Sequence, residues 1–416
     1  MSERLLVCGI GAGMDRSLAA LKDLGLDLAV ITDRRTERVG RATDTVLVAD
    51  PGDQRSVDRA VTAAGLRGVD GVLSLGYDNP PVISRLARRF SCPGVPEEVA
   101  LDCTLKDRRL AVLGRAGLHL PRHRAADDLA GALAALAETG LPAVVKPRDL
   151  TGSAGVYKLD SPRTAPDHIR EALRLSVSGR VVVEEFLAGT EHTVAGLVTA
   201  GTFHVTGFAD REYGRKEEFA PYFFEGGDTM PTALSTEQAD EVVAVVRAGV
   251  RALGLDEAVV NTDILRTRDG RVVLLELTCR LTGARIATEI MPLGGGIDPL
   301  PHAVRLALGR PVDLAEPAPR PGRAVVQRYL PCTGGTVEWV GDLREAAAPP
   351  EVHDVFWGRE LRPGMTLPPY TGGSDPLAGV IATGDDTAQA AATAQEVLAR
   401  LPLKLSADTL DPPHTT

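Results

Sequence analysis

The stretch 258–285, AVVNTDILRTRDGRVVLLELTCRLTGAR, constrains the fold more tightly than any other part of the chain. Two apolar, β-favouring runs flank Asp269-Gly270, a dipeptide that favours a tight hairpin turn. A two-residue turn there sets Arg268 opposite Arg271, Asp263 opposite Glu276 and Asn261 opposite Thr278. Directly opposed residues have Cβ atoms about 5 Å apart, and like charges at that spacing repel. Side chains alternate between faces along a strand, so Glu276, Thr278 and Arg280 share one face and Cys279 turns to the core. A carboxylate on a half-buried strand is costly unless something compensates it. A hard cation such as Mg²⁺ takes one or two carboxylates together with phosphate oxygens, and so compensates both acids at once. The plainer alternative is an acid pair at the solvent rim of a sheet. Because the pair repels itself without a metal, Glu276→Gln is expected to hold or raise the stability of the metal-free protein.

The chain around this hairpin changes texture along its length. Through the first hundred residues, short apolar runs (RLLVCGI, LAVIT, TVLVA, DGVLSL) alternate with helical patterns at 15–24, 54–64 and 80–90, which predicts a parallel α/β sheet. SCPGVPEE breaks the pattern as a linker. Helices follow at 105–116, 126–139 and 165–176, interleaved with the strands PAVVKP and VVVEEFL. From 191 onward the pattern is mainly β, with one helix at 236–253. AEPAPRPGR at 315–323 reads as a second linker, before short strands (AVVQRYL, AGVIATG) and a last helix at 386–400. The tail DPPHTT is expected to be disordered.

With 416 residues, 44% of them hydrophobic, the chain supports two to four domains. A net charge of −10 argues against nucleic acid or a membrane surface as partner. No apolar run is long enough to span a bilayer, and MSERLLVCGI lacks the features of a signal peptide, so a cytoplasmic protein is expected. Five scattered cysteines without a CxxC pair suit a reducing compartment and disfavour zinc.

Other residues extend the anionic theme of the hairpin. Lys146 ends PAVVKP and is followed by a small-residue loop with Gly152, Ser153 and Gly155; a lysine beside free backbone N–H groups is what phosphate recognition requires. Lys106 opens a helix in LDCTLKDRRLAVL, where a solvated lysine is the plain reading. In VVVEEFLAGTEHTV, the strand end Glu184-Glu185-Phe186-Leu187 can offer backbone groups to a base edge, and Glu191 can accept from ribose hydroxyls.

In this order the constellation resembles the ATP-grasp superfamily, specifically its carboxylate–amine ligases, over nearly the whole chain. DGVLSLGYDNPPVISRLARRF and PGVPEEVALDCTLKDRRLAVLGRAGLHLP look like the family's preATP-grasp sheet and the helix of its first ATP lysine. The region 315–405 is similar to the small C-terminal domain of L-amino-acid ligases, and APYFFEGGDTMPTALS looks like a segment near their acceptor site. The fold implied combines α/β and α+β: a preATP-grasp α/β domain (1–104), an ATP-grasp domain (105–312, with lobes 105–188 and 189–312) and a C-terminal α+β domain (320–405). The resemblance implies ATP and Mg²⁺ as cofactors, with Mn²⁺ as a substitute, and small carboxylate and amine substrates joined through an acyl phosphate. It places Lys106, Lys146, Gly152, Ser153 and Gly155 on phosphates, Glu184, Glu185, Leu187 and Glu191 around the nucleoside, and Asp263, Glu276 and Thr278 on the metal. Where the family usually has asparagine, this chain has Thr278, so the third ligand is the Thr278 hydroxyl or the amide of Asn261 opposite. Arg280 is implied for the acyl phosphate and Arg285 for a substrate carboxylate, with a structural ion pair as its alternative. Family members are often dimers, and a homodimer is compatible with the sequence.

Two rival readings remain. An ATP-grasp carboxylase acting through carboxyphosphate uses the same nucleotide site, although the C-terminal region favours the peptide-type ligase. GIGAGM (9–14) with Asp33 imitates the fingerprint of an NAD-dependent oxidoreductase, but lacks the third spaced glycine and leaves the hairpin acids and both lysines unexplained.

Overall fold

The computed structural model describes residues 2–312, 314, 322–373 and 376–406. Most of the expected 315–323 linker and the DPPHTT tail lie outside the described residues. Strands β1 (Arg4–Ile10), β2 (Asp27–Thr32), β3 (Thr45–Val48) and β4 (Gly71–Leu75) form the expected parallel sheet in the order β3-β2-β1-β4. Helices α1 (Ser17–Asp23), α2 (Glu37–Ala42), α3 (Gln54–Ala63) and α4 (Pro80–Phe90) connect and follow these strands. The expected linker SCPGVPEE is cut short, because its two glutamates already lie in α5 (Glu97–Thr104). Helix α6 (Lys106–Arg115) comes next.

A second, antiparallel sheet has the order β5-β8-β6-β7, from β5 (His123–Ala126), β6 (Ala143–Pro147), β7 (Tyr157–Leu159) and β8 (Val181–Glu185). Helices α7 (Leu129–Thr139) and α8 (Ala165–Leu175) pack on it through Ala132, Ala135, Ile169 and Ala172. The third sheet has eight strands. Its strands are β9 (Gly189–Thr199), β10 (Thr202–Glu212), β11 (Gly227–Met230), β12 (Ala258–Thr267), β13 (Val272–Thr278), β14 (Ala324–Leu330), β16 (Val352–Trp357) and β18 (Ala378–Gly384), ordered β13-β12-β9-β10-β11-β14-β18-β16. The C-terminal strands therefore prolong the sheet of the preceding region rather than forming one of their own. Only β15 (Thr333–Val340), β17 (Thr366–Pro369) and β19 (Leu403–Ser406) stand apart, as a three-stranded sheet.

Helix α9 (Thr236–Leu253) carries a capping box, Ser235 with Gln238, and stops at Gly254 in the left-handed conformation. Its Val242, Val246 and Val250 pack on Val260 and Ile264 of β12 and Leu274 and Leu277 of β13, each buried side chain contributing about 1.5–3 kcal/mol. The short helix α10 (Met291–Leu293) packs on β10, helix α11 (Pro299–Ala307) reaches β4 of the N-terminal sheet, and α12 (Thr387–Ala399) packs on β14 and β18. Among the described residues no helix is long and apolar enough to cross a membrane.

Candidate active site

The hairpin of β12 and β13 keeps the expected acid pairing by a different route. The turn takes three residues, not two: Thr267 pairs with Arg271, Gly270 sits at φ 88° and donates its N–H to Thr267 O. The Thr267 hydroxyl lies near both the Asp269 carboxylate and the Arg271 carbonyl, which favours the three-residue turn over the two-residue one. That turn shifts the ladder by one residue, and a bulge on β13 at Leu275 takes up the odd residue, so Asp263 still faces Glu276 and Asn261 still faces Thr278. Val272, Leu274 and Leu277 go to the core, with Cys279 packed against the same cluster. Leu275 and Glu276, although consecutive, both line one cavity.

That cavity opens between the β6–β8 lobe and the eight-stranded sheet. Lys106 comes from the start of α6, Lys146 from the end of β6, Gly152 and Ser153 from the loop after it, and Glu184, Glu185 and Leu187 from the end of β8. Glu191 on β9 and the hairpin acids complete the lining. Lys106 donates to Leu150 O; burial lowers its pKa to about 8 against the pull of Glu276. Lys146 is paired with Glu184 at 2.6 Å, so Glu184 acts by holding the lysine. Glu185, which also lines the cavity, pairs with Arg122 at 2.7 Å. The backbone N–H of Leu187 has no backbone partner among the described residues and remains available to a base edge. Burial pushes Glu191 up to about 7, against the opposing charge of Arg211. In the loop after β6, Ser153 adopts φ 59° and the N–H groups of Gly152, Ser153 and Gly155 donate to no backbone carbonyl among the described residues. Gly155 itself packs against Pro147 and does not reach the cavity wall.

The acids fit a divalent cation. Asp263 receives Arg211 at 2.7 Å and the Thr193 hydroxyl at 3.1 Å through Oδ1. Glu276 has no hydrogen-bond or ion-pair partner among the described residues. Burial pushes its carboxyl up, but Arg109, Lys106, Arg280 and Arg211 together hold it below the usual range. An ionised carboxylate without a direct partner, beside a second one, is a donor set for Mg²⁺. Among the described residues no group of three or more His, Cys, Asp or Glu is arranged as a metal centre, so the pair depends on phosphate and neutral oxygens to complete a shell. Asn261 accepts from Thr282 at 2.8 Å, whereas the Thr278 hydroxyl faces Asp78 at 3.4 Å.

The expectation for Arg285 changes. Arg285 is 2% exposed and lies against Glu289 (Nε to Oε1, 2.7 Å) and Asp354 (2.6 Å), with its guanidinium over Phe356. Its donors are committed to protein carboxylates, so the structural ion pair replaces the substrate-carboxylate role. Its stem also explains GIGAGM: a Cβ at Gly13 would stand 2.9 Å from Arg285 Cδ, and one at Gly11 2.5 Å from Gly76 O. Those glycines serve close packing, not a dinucleotide.

Several site residues escaped the sequence reading. Asp78, after β4, pairs with Arg280 at 3.1 Å and orients it; an acid just beyond the carboxyl end of a parallel strand was the available signal. Arg109, one helical turn beyond Lys106, donates to Leu275 O at 3.4 Å, at the bulge. Arg211, Tyr213 and Phe223 carry no local signature that would single them out. Phe223 belongs to the APYFFEGG segment, which the C-terminal region covers: Tyr370 reaches Phe223 O at 3.0 Å and stacks edge-on with Phe219, Tyr222 and Phe224.

The chain is similar to known proteins. Residues 139–289 match the family described as ATP-grasp domain, and residues 328–406 the L-amino acid ligase C-terminal domain 2. The uncharacterized protein y4rH of Sinorhizobium fredii is 30% identical over 303 residues, covering 72% of this chain and 60% of that protein. Alanine–anticapsin ligase of Bacillus subtilis is 22% identical over 270 residues, 59% of this chain and 56% of that ligase. The matched part is thus less than two thirds of these relatives' own length. The crystal structure of L-amino acid ligase from Bacillus licheniformis superposes with a TM-score of 0.82 at 21% identity, covering 98% of this chain and 99% of that one, which establishes a shared fold.

Proposed function

Because the chain carries an ATP-grasp domain joined to an L-amino acid ligase C-terminal domain, we propose that it is an ATP-dependent carboxylate–amine ligase, activating a carboxylate as an acyl phosphate and releasing ADP and phosphate. One observation carries this reading: Lys106, Lys146, the 152–153 loop, Glu191 and an opposed acid pair, contributed by separate elements, line a single cavity. The proposed domains follow the divisions 1–104, 105–312 and 320–405, with the eight-stranded sheet spanning the last two.

In this reading the chain's own groups act by position and charge. Lys106 and Lys146 hold phosphate oxygens, the Gly152 and Ser153 amides cover the transferring group, and Glu191 accepts from the ribose. Mg²⁺ at Asp263 and Glu276, with Thr278 nearby, would supply neutralisation of phosphate charge. Arg280, held by Asp78 and by Leu281 O, with its Nε unpartnered among the described residues, is the group we assign to the oxyanion that forms when an amine attacks the acyl phosphate.

The test is ADP and phosphate release from the purified protein with ATP, Mg²⁺ and pairs of amino acids. Release of AMP and pyrophosphate would refute the acyl-phosphate step, and dependence on bicarbonate instead of an amino acid would favour a carboxylase.

A pH dependence follows. The Lys106 ammonium is lost above about 8, and the Glu191 carboxylate is neutralised below about 7. Since kcat/KM reports groups of the free enzyme, its value for ATP is expected to peak between those two limits and to fall on both sides. Glu191→Gln should flatten the acid limb, which separates this effect from titration of ATP itself; Lys106→Arg should flatten the alkaline limb. Limbs that persist in both variants would exclude these two residues as their source.

A further inference from the structure

Between β10 and β11 the chain leaves the eight-stranded sheet as the connection 213–226. Its last residue is fixed to the sheet: the Gly226 N–H donates to Glu212 O at 2.6 Å, and the Tyr329 N–H donates to Gly226 O at 2.9 Å. Two of its residues, Tyr213 and Phe223, wall the cavity assigned to the nucleotide. Its outer part leans on the β6–β8 lobe. There the Lys158 N–H donates to Pro221 O at 2.8 Å, and the Phe223 ring lies 6.4 Å from that of Phe186, another residue of the cavity wall. The other backbone hydrogen bonds of residues 213–224 among the described residues are local, such as Lys216 to Tyr213 and Tyr222 to Phe219. Among those residues, then, no backbone bond fastens Phe223 to the sheet that carries the acids, and a segment held so sparsely opens easily.

Tyr370 supplies that hold. It follows β17, and its own N–H donates to Cys332 O at 2.8 Å, just before β15, so it is rooted in the three-stranded sheet. Its phenol oxygen lies 3.0 Å from both Phe223 O and Gly373 O and shares one proton between the two carbonyls. Burial pushes the phenol up, so that proton is never lost in the neutral range. The ring stands edge-on to Phe219, Tyr222 and Phe224, at 5.6, 6.1 and 5.2 Å, an arrangement in which the positive rim of one ring meets the negative face of the next. The chain after Tyr370 also abuts the phosphate loop: a Cβ at Gly372 would stand 3.5 Å from Ser153 O and from Tyr222 Cδ1.

Resting on the ligase reading, we propose that Tyr370 is a positioning residue of the nucleotide site, a latch by which the C-terminal region holds Phe223 against the cavity. The C-terminal region thereby takes part in binding ATP, through the one connection that the β6–β8 lobe also grips. Without the latch, Phe223 keeps its place only part of the time, and the apparent affinity for ATP falls by that fraction. Lys106, Lys146, Asp263 and Glu276 stand on other elements and are left where they are, so turnover at saturating ATP is kept.

Tyr370→Phe keeps the ring contacts and deletes the hydroxyl. Binding of a non-hydrolysable ATP analogue with Mg²⁺ is measured calorimetrically, and ADP release is measured with ATP and pairs of amino acids. The variant should show a Kd for the analogue and a KM for ATP about two- to tenfold higher, with kcat and the KM for the amino acids unchanged. Tyr370→Ala removes the ring as well and should raise both about ten- to hundredfold; should it fail to fold, Tyr370→Phe still decides. Phe223→Leu should weaken ATP binding too, and adding Tyr370→Phe to it should cost little more, since the latch then has no ring to place. Fully additive losses, a KM for ATP that Tyr370→Phe does not move, or a fall in kcat at unchanged KM would each overturn the latch while sparing the ligase. Analogue binding weakened by Tyr370→Phe in a protein that releases no ADP with any amino acid would uphold the latch and sink the ligase. A wild-type protein that does not bind the analogue would overturn both.

Discussion

Glu276→Gln is expected to lower ADP release by about two to four powers of ten, because the cation it helps to hold supplies several kcal/mol of charge stabilisation and each 1.36 kcal/mol is tenfold in rate. The amide keeps the shape of the side chain and removes the charge. Half-saturation by Mg²⁺ should move upward in step, whereas a purely structural glutamate would leave it unmoved. The structure reverses the expectation for stability. Asp263 opposite is already neutralised by Arg211, and Glu276 stands amid the charges of Arg109, Lys106, Arg280 and Arg211. Its carboxyl is held below the usual range, so it stabilises the fold above the range where an unfolded glutamate titrates, and that contribution disappears on acidification. The variant should therefore melt somewhat below wild type near neutrality and alike with it in acid. A variant that melts higher at neutral pH would restore the simple picture of two repelling acids.

Arg280→Met is the second large effect. Loss of one preorganised donor to an oxyanion costs about 10²–10³ in kcat. The same change strands Asp78, whose side chain is 6% exposed and whose ion-pair partner is Arg280. Breaking a buried pair from one side costs about 3–5 kcal/mol, so the melting temperature should fall sharply. Adding Asp78→Asn removes the stranded charge. The double variant should recover most of the melting temperature and none of the kcat, which separates the two roles of the guanidinium. If activity returns together with stability, Arg280 is structural and the chemistry lies elsewhere.

What could be read from the sequence divides along a physical line. Elements whose identity depends on local pattern were legible: the parallel strands of the first hundred residues, helix 236–253 with its Ser235 cap, and the lysines at element ends. The hairpin acids were paired correctly although the turn was not, since the Asp269-Gly270 signal carries no information about Thr267 capturing that aspartate or about an extra residue five positions further on. Contacts made across long separations were invisible. Arg280 meets Asp78 from 202 positions away, and Arg285 meets Asp354 from 69. A guanidinium looks the same in sequence whether it awaits a substrate or is already engaged. The continuity of β11 with β14 was hidden for the same reason, because a sheet is joined by hydrogen bonds whose partners no local pattern names.

The bulge at Leu275 also bears on how this hairpin can vary in length. Between Asp263 and Glu276 there are two spare residues, the third of the turn and the one in the bulge. A chain shortened by one there can spend either and still bring the two acids face to face, with a tighter turn or with a smooth strand. Shortened by two, it can still oppose the acids by taking the two-residue turn and the smooth strand together, which uses all of the slack. The cost of using the slack falls elsewhere: a smooth strand returns Leu275 from the cavity wall and takes away the carbonyl that meets Arg109. Relatives one residue shorter in this hairpin would thus keep the metal pair and differ in the wall that the nucleotide touches.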